Sequence, residues 1–585
     1  MTENSSGALE LGVELLISDQ YAMWHVSTQR ECLRFLRKSA KRFSSHQLNQ
    51  LLDAILVGPP REMFKEGLEE NDWERIVDRE IWLRLAKLEQ GGRSPPKRGS
   101  KVMEEIQARR DFQVDGDRDE FPVWMESGWV EPDEVKLEEL AKQEPEELAE
   151  TLHDYQPEGF GSSDEVRLLS LQRPDQTINA LEIIVRKYKS WPAEVWRRVL
   201  WGLDDDRDIA IKTSEKLLQL FSQAPDTHLS EIGHAVSTWL RTVIGNDTPN
   251  PAKTLLDLWT RVWNTAPETE IEESRADILT SAINDRSGVL AETLLNVLWA
   301  RKPKASERIP DDLLPFFNAI AEGTKPSHIY GRVILASRLF NLFALDPDWC
   351  STNLLPCMDC DASAEAAALW AGYLWSPRVS PDLGVAFKDQ FLKIIARRNE
   401  IGDNAENLVD LFAVVCTELP DLFNKPEIEG VIDILDEEGL AQIVRYFERS
   451  AQAADKEQQG RIWSEKHGPW LEQYWPKVGE KQTPQTANAI AEYLCETGTS
   501  FGNALGWTEP YLQPVDYPAR ITYQLLKSEI PTDFPEETLK LMVKLIAHDA
   551  PGYERYKLRE LLDKVMESDP SIRTSPEYLD LDRIA

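Results

Sequence analysis

One apolar spacing recurs through the second half of this 585-residue chain and restricts what it can fold into. Leu255, Leu258, Trp259, Val262 and Trp263 fall at i, i+3, i+4, i+7 and i+8. So do Ala291, Leu294, Leu295, Leu298 and Trp299, then Ala367, Trp370, Ala371, Leu374 and Trp375, then Leu408, Leu411, Phe412, Val415 and Cys416. That spacing places five apolar side chains on one face of an α-helix and does not fit the two-residue period of a strand. The four segments end at 263, 299, 375 and 416, separated by 36, 76 and 41 residues. These steps approximate one, two and one units of about 38 residues, a length suited to paired-helix repeats. The fold expected is all-α: an irregular α-solenoid of stacked helical hairpins, HEAT- or armadillo-like, over 191–585. Near residue 337 the expected unit holds "GRVILASRLFNLFAL", apolar enough for helix but off the template.

The stretch "ALWAGYLWSPRVSPDLGVAFKDQFL" from Ala368 shows how such a unit is built. Ser363 is placed to cap a helix running to about Trp375. Pro377 drives Ser376 out of helical geometry. Ser380 then caps a second helix with Pro381 at its first position. Leu383, Phe387, Phe391 and Ile394 form its apolar stripe. Trp370 and Trp375 are both expected in the core, where each ring buries roughly 150–250 Å².

Residues 1–190 read as a helical N-terminal region of different character, with helical patterns near 28–43, 45–57 and 73–89. "QGGRSPPKRGSK" over 90–101 reads as an exposed loop. A second exposed loop is expected near 113–135 and a third around "EGFGSSDE" at Phe160. The 131–154 segment carries ten Asp or Glu against two Lys.

Against that acidic background stands a basic ridge. Arg34, Arg37, Lys38, Lys41 and Arg42 share the i, i+3, i+4, i+7, i+8 spacing, opposite an apolar stripe of Leu33, Leu36, Ala40 and Phe43. The chain's formal net charge is −35. Duplex nucleic-acid binding needs a basic surface, and an acidic chain is repelled by anionic membranes, so neither is an expected partner. The ridge therefore pairs with the chain's own acidic segment, faces solvent, or receives an acidic external partner. The third reading makes these five residues the candidate partner-binding set.

Catalytic patterns are sparse. No GxxxxGK[ST], HExxH or GxSxG occurs, and the eight histidines are scattered. "CMDC" puts Cys357 and Cys360 near Cys350, but a zinc site needs about four ligands and no second pair lies nearby. Asp115, Asp117, Asp119 and Glu126 match a calcium loop, yet Glu120 stands where the turn needs glycine and Pro122 occupies the eighth position. "DDDRD" from Asp204 reads as capping and helix-start charge. Six cysteines form no disulfide framework. The start lacks a basic leader and no apolar run approaches 18 residues, so a cytoplasmic chain is expected. No catalytic residue, metal or cofactor is expected.

Seven segments occur in a telling order: "GPPREMF" at Gly58, "DREIWLRLAKL" at Asp78, "DRDEFPVWM" at Asp117, "AINDRSGVLAETLLNVLW" at Ala282, "GRVILASRLFNLFALDPDW" at Gly331, "ALWAGYLWSPRVSP" at Ala368 and "HGPWLEQYWP" at His467. Together they resemble the long helical region that follows the sirtuin-like domain in bacterial defence-associated sirtuins and related anti-phage proteins. In that family the sirtuin-like part consumes NAD, and the resemblance implies a regulatory or phage-sensing role for the helical part. This chain shows no alternating βαβ run and no glycine-rich strand-to-helix turn. No NAD chemistry is carried over. The expected function is a non-catalytic scaffold or sensor of an anti-phage system, binding a protein partner such as a separately encoded effector or a phage component. Self-association stays open. The rival class is an enzyme or effector whose site lies in the N-terminal region, or a NAD-depleting defence effector subunit; a helical adaptor with no defence role is the third reading.

Overall fold

The computed structural model describes residues 6–25, 27–64, 70–110, 112, 134–155, 165–268, 278–477, 479–547 and 555–585. Every regular element among them is helical and no strand occurs. The expected loops at 113–135 and around Phe160, and the candidate calcium loop, lie largely or wholly outside the described residues. The chain divides into two compact units, Met1–Trp129 and Val130–Ala585.

The first unit contains α1 (Ser6–Ser18), α2 (Gln20–Trp24), α3 (Gln29–Ser39), α4 (Ser45–Val57), α5 (Glu70–Gln90) and α6 (Lys97–Arg109). Helix α4 begins with a capping box: Ser44 accepts from the Gln47 N–H and the Gln47 side chain accepts from the Ser44 N–H. Its buried Leu48, Leu51, Leu52 and Ile55 join Leu36 of α3, Leu85 of α5 and Ile106 of α6 in one core. The segment 90–101 is not one loop. Residues 91–96 turn the chain, and Lys97 to Lys101 already belong to α6. The second proline, Pro96, takes the N-cap position, ahead of a helix that needs no N–H from it.

In the second unit, the most heavily packed helix pairs lie two or three α-helices apart along the chain. Asp226–Ile244 packs on Ala193–Asp204 and on Arg286–Ala300; Arg286–Ala300 meets His328–Ala336, which meets Ala366–Leu374. Further on, Ala405–Glu418, Glu437–Gln452 and Pro484–Leu494 pack in succession. The repeated template faces this core: Leu255, Leu258, Trp259, Val262 and Trp263 are buried, as are Leu408, Leu411, Phe412, Val415 and Cys416. Trp259 stacks on Trp263 at 5.5 Å and its indole N–H donates to the Leu290 carbonyl at 2.9 Å. The off-template segment near 337 forms two short helices, His328–Ala336 and Leu339–Leu345, broken at Ser337 and Arg338. A single phase cannot run through that break.

The Trp370/Trp375 pair separates. Trp370 is fully buried, edge-on to Phe387 and Phe391 at 5.5 and 5.8 Å, and its indole N–H donates to the Met358 carbonyl. Ser380 caps the helix Pro381–Ala396 by accepting from the Leu383 N–H, with proline at the first position. Trp375, expected in the core, is 62% exposed. The helix ends at Leu374, so Trp375 sits at its C-cap and no longer follows the buried face. Trp370→Ala is expected to destabilise by about 3–5 kcal/mol, as for other buried aromatics. Trp375→Ala should stay within about 0.5 kcal/mol. Denaturant midpoints of the two variants check the contrast, and equal losses would return Trp375 to the core.

Candidate partner-binding surface

Helices α2 and α3 are held on α5 by a buried ion pair. Arg84 exposes none of its side chain. Its guanidinium donates to Glu80 Oε2 at 2.7 Å and to the Met23 carbonyl at the end of α2, and it lies 4.0 Å from the Trp24 ring centre. Glu80 also accepts from the Gln29 side chain, at the first residue of α3, at 2.9 Å. One carboxylate therefore ties α5 to the start of α3, and one guanidinium ties it to the end of α2.

The other end of α3 is set by backbone proximity. A β-carbon on Gly91, just past α5, would lie 2.1 Å from the Arg37 carbonyl oxygen. At Gly92 it would lie 2.4 Å from Lys41 Cε, and the backbone there is left-handed, with φ +81°. The "QGG" of the sequence thus permits close approach as well as a turn. Leu33, Leu36, Ala40 and Phe43 are buried as the opposite stripe requires.

The ridge itself is reshaped. The α-helix stops at Ser39, and Ala40–Arg42 form a 3-10 turn. Lys41 and Arg42 consequently leave the α-helical face shared by Arg34, Arg37 and Lys38. Lys41 lies over Gly92. Arg34 and Lys38 line a cavity of about 510 Å³ with Glu31 and with Leu15, Leu16, Ala22 and Phe35. Lys38, Lys41 and Arg42 are exposed; Arg34 and Arg37 are half-buried. Sequence reasoning did not reach the α1 wall of this cavity, formed by Gly12, Leu15 and Leu16; Leu15 is 40% exposed, and Leu11, one turn earlier, 65%.

Groups that could do chemistry elsewhere are drawn into packing. Burial pushes His228 and His328 down to about 4 and His467 to about 3. His328 stacks on Trp263 at 4.1 Å, its Nδ1 accepting from the Lys325 N–H. His467 stacks on Phe447 at 4.2 Å and hydrogen-bonds the Tyr493 hydroxyl at 2.7 Å. Burial raises the thiols of Cys350, Cys416 and Cys495, and also those of Cys357 and Cys360. Asp206 caps the helix Arg207–Phe221 by accepting from the N–H groups of Asp208 and Ile209, and Asp205 pairs with Arg167. Among the described residues no group of three or more His, Cys, Asp or Glu is arranged to hold a metal ion. No described helix is long and apolar enough to cross a membrane.

No family model matches this chain, nor does any curated protein or solved structure.

Two outcomes follow from this geometry. Arg84→Met removes the 2.7 Å cation partner of buried Glu80, leaving it only Arg79 at 3.9 Å, and should cost about 3 kcal/mol in the first unit. Amide exchange should accelerate in α2 and α3 while the helix Asp226–Ile244 keeps its protection; unchanged exchange in α3 would remove the anchor. The histidines set a pH dependence. Unfolded, they titrate near 6.5; folded, they bind protons only near 4 or below. Their stabilisation is complete above 6.5 and is lost as pH falls toward 4, since only the unfolded chain gains protons in that window. Glu448 and Glu496, raised by burial, act in the opposite sense. Comparing wild type with His467→Gln isolates one ring: the variant should be less stable at pH 7 and lose less on acidification, and parallel profiles would refute the assignment.

Proposed function

We propose that the chain is a non-catalytic helical scaffold or sensor of a bacterial anti-phage defence system, and that it binds a protein partner through its first unit. Residues 191–585 are read as an irregular α-solenoid, supported by the recurring template at steps of about 38 residues and by successive helices packing on near neighbours. The defence role rests on the resemblance of the seven ordered segments to the helical region of defence-associated sirtuins. The observation that carries the binding role is the contrast between two sets of groups. In the second unit His228, His328 and His467, with Cys350, Cys416 and Cys495, are buried among aromatic and aliphatic side chains. Arg34 and Lys38 of α3 instead border an open cavity beside the 40% exposed Leu15.

The partner takes the place of a substrate in this reading. Charges at the rim of an interface act chiefly on the encounter rate, and buried apolar groups on the lifetime of the complex. Arg34, Arg37, Lys38, Lys41 and Arg42 would then govern association, with an effector or a phage protein as the partner.

Two measurements test this. Purified chain should leave NAD intact; turnover abolished by a point change in this chain would place it among enzymes. The triple variant Arg37→Glu, Lys38→Glu, Lys41→Glu should melt like wild type and associate with its partner at least ~10-fold more slowly, with a flatter salt dependence. A lowered melting temperature with association unchanged would instead assign the ridge to the fold, and no change in either would assign it to solvent.

A further inference from the structure

The helix Glu437–Gln452 packs along the helix Pro484–Leu494, and the helix Pro518–Lys527 packs on the latter. The joint of these three is rich in hydrogen-bond acceptors and poor in donors. Glu448 of the first helix is buried, and Glu492 of the second is 3% exposed. Asn488 stands one turn before Glu492, and Gln524 stands one turn after Arg520 on the third helix. Glu492 Oε1, Asn488 Oδ1 and Gln524 Oε1 are buried with no hydrogen-bond partner. Buried acceptors are costly to leave unmatched. Glu496, just past the second helix, fares better, since Gln459 donates to it at 2.9 Å.

Charge at the joint is one-sided. Glu492, Glu496 and Arg520 act on Glu448 from the second and third helices. Arg520 Nε lies 2.9 Å from Glu492 Oε1 without forming a hydrogen bond, and its side chain is 64% exposed, so water weakens the pair. Arg449, next to Glu448 in the chain, donates to Asp410 of the helix Ala405–Glu418 at 2.6 Å, and that carboxylate also accepts from Gln442. Arg445 donates to Glu438 at 2.6 Å. Two neutral groups complete the surroundings: the His467 imidazole stacked on Phe447, and the Cys495 thiol, which burial holds protonated. Burial, and after it the charge of Glu492, push the Glu448 carboxyl above the usual glutamate range; Arg520 opposes them, Glu496 adds to the rise and Arg449 opposes it weakly.

We infer that Glu448 is a proton-binding site through which pH sets how tightly these three helices are joined. Its protonated form brings an O–H donor to a joint short of donors, and leaves Glu492 without a second buried negative charge facing it. Its ionised form loses both advantages. The proton passes to solvent, and no other bond changes. The inference goes beyond the binding role proposed above and does not depend on it. Linkage fixes the direction. Folded, Glu448 keeps its proton over a pH range in which the unfolded chain, with glutamates near about 4.3, has already lost it. Its contribution to stability is complete below that value and is lost as pH rises through the folded value, opposite in sense to the buried histidines.

The test uses full-length chain and compares amide exchange of variants at matched pH. Glu448→Gln has the size of the protonated carboxyl, a permanent donor and no charge. Near about pH 5 it and wild type should protect the helices Glu437–Gln452 and Pro484–Leu494 alike. Near about pH 8 the variant should protect them at least ~10-fold more, while the helix Asp226–Ile244 keeps equal protection in both. Glu492→Gln removes the neighbouring charge and should move the wild-type pH step toward acid. The infrared difference between wild type and Glu448→Gln gives a readout separate from stability: a protonated-carboxyl C=O band that persists above the ordinary glutamate range and vanishes across the same step. A protection ratio that does not change with pH makes Glu448 a packing residue and overturns the inference. So does absence of that band above the ordinary range, and so does a step that Glu492→Gln leaves in place. Should Glu448→Gln fail to fold, the position of the step in Glu492→Gln decides alone.

Discussion

A guanidinium with no solvent exposure has to be neutralised and hydrogen-bonded, and in this chain meeting that demand organises the first unit. Arg84 spends its donors on Glu80 and on the Met23 carbonyl. Removing such a charge from water is costly, and the pair survives because both partners find further contacts: Trp24 over the guanidinium, Gln29 on the carboxylate. The consequence is geometric. The end of α2 and the start of α3 are fixed to one turn of α5, and the cavity that α3 lines with Arg34 and Lys38 inherits its position from that turn. An apolar pair could have held the helices together, but it would not have specified which residue of α3 meets α5.

The second unit solves a different problem. Helices stacked on near neighbours leave gaps that aliphatic side chains fill poorly, and indole rings fill them at the cost of one N–H each. Trp259 and Trp370 discharge that cost on the Leu290 and Met358 carbonyls. The same logic encloses the histidines. A neutral imidazole stacked on Trp263 or Phe447 behaves as a flat core side chain with one useful acceptor, which explains why burial, and not a partner charge, dominates its shift. Chemistry is thereby withdrawn from these residues, whatever the sequence spacing suggests.

The all-helical class was legible because the template needs only periodicity. Buried positions at Trp259, Trp263, Trp370 and Phe412 follow directly from it. The exceptions have local causes. Trp375 continues the i+4 series on paper, but the chain must leave the helix before Pro377, and the series loses its meaning one residue past Leu374. The "QGGRSPPKRGSK" segment carries loop residues that serve other ends: two glycines for close approach to α3 and Pro96 for the start of α6. The ridge was legible as charge, because five cations at helical spacing stand out in an acidic chain. Its division was not, since the change from α-helix to 3-10 turn at Ser39 depends on where α5 ends. The exposed face of α1 was invisible for a plainer reason. Leu11 and Leu15 have ordinary helical spacing, and nothing in a single sequence tells an inward stripe from an outward one.

The net charge of −35 and the basic stretch of α3 are best understood together. Solubility alone is served by acids, so a concentrated basic segment answers some other requirement. At physiological ionic strength charges beyond roughly 8 Å are largely screened. Attraction of that range is weak by itself and gains a lifetime only if apolar surface is buried in the same event. Leu15, 40% exposed, lies in the same cavity as Arg34 and Lys38, so in the binding role proposed above charge would act on encounter and apolar burial on the lifetime of the complex.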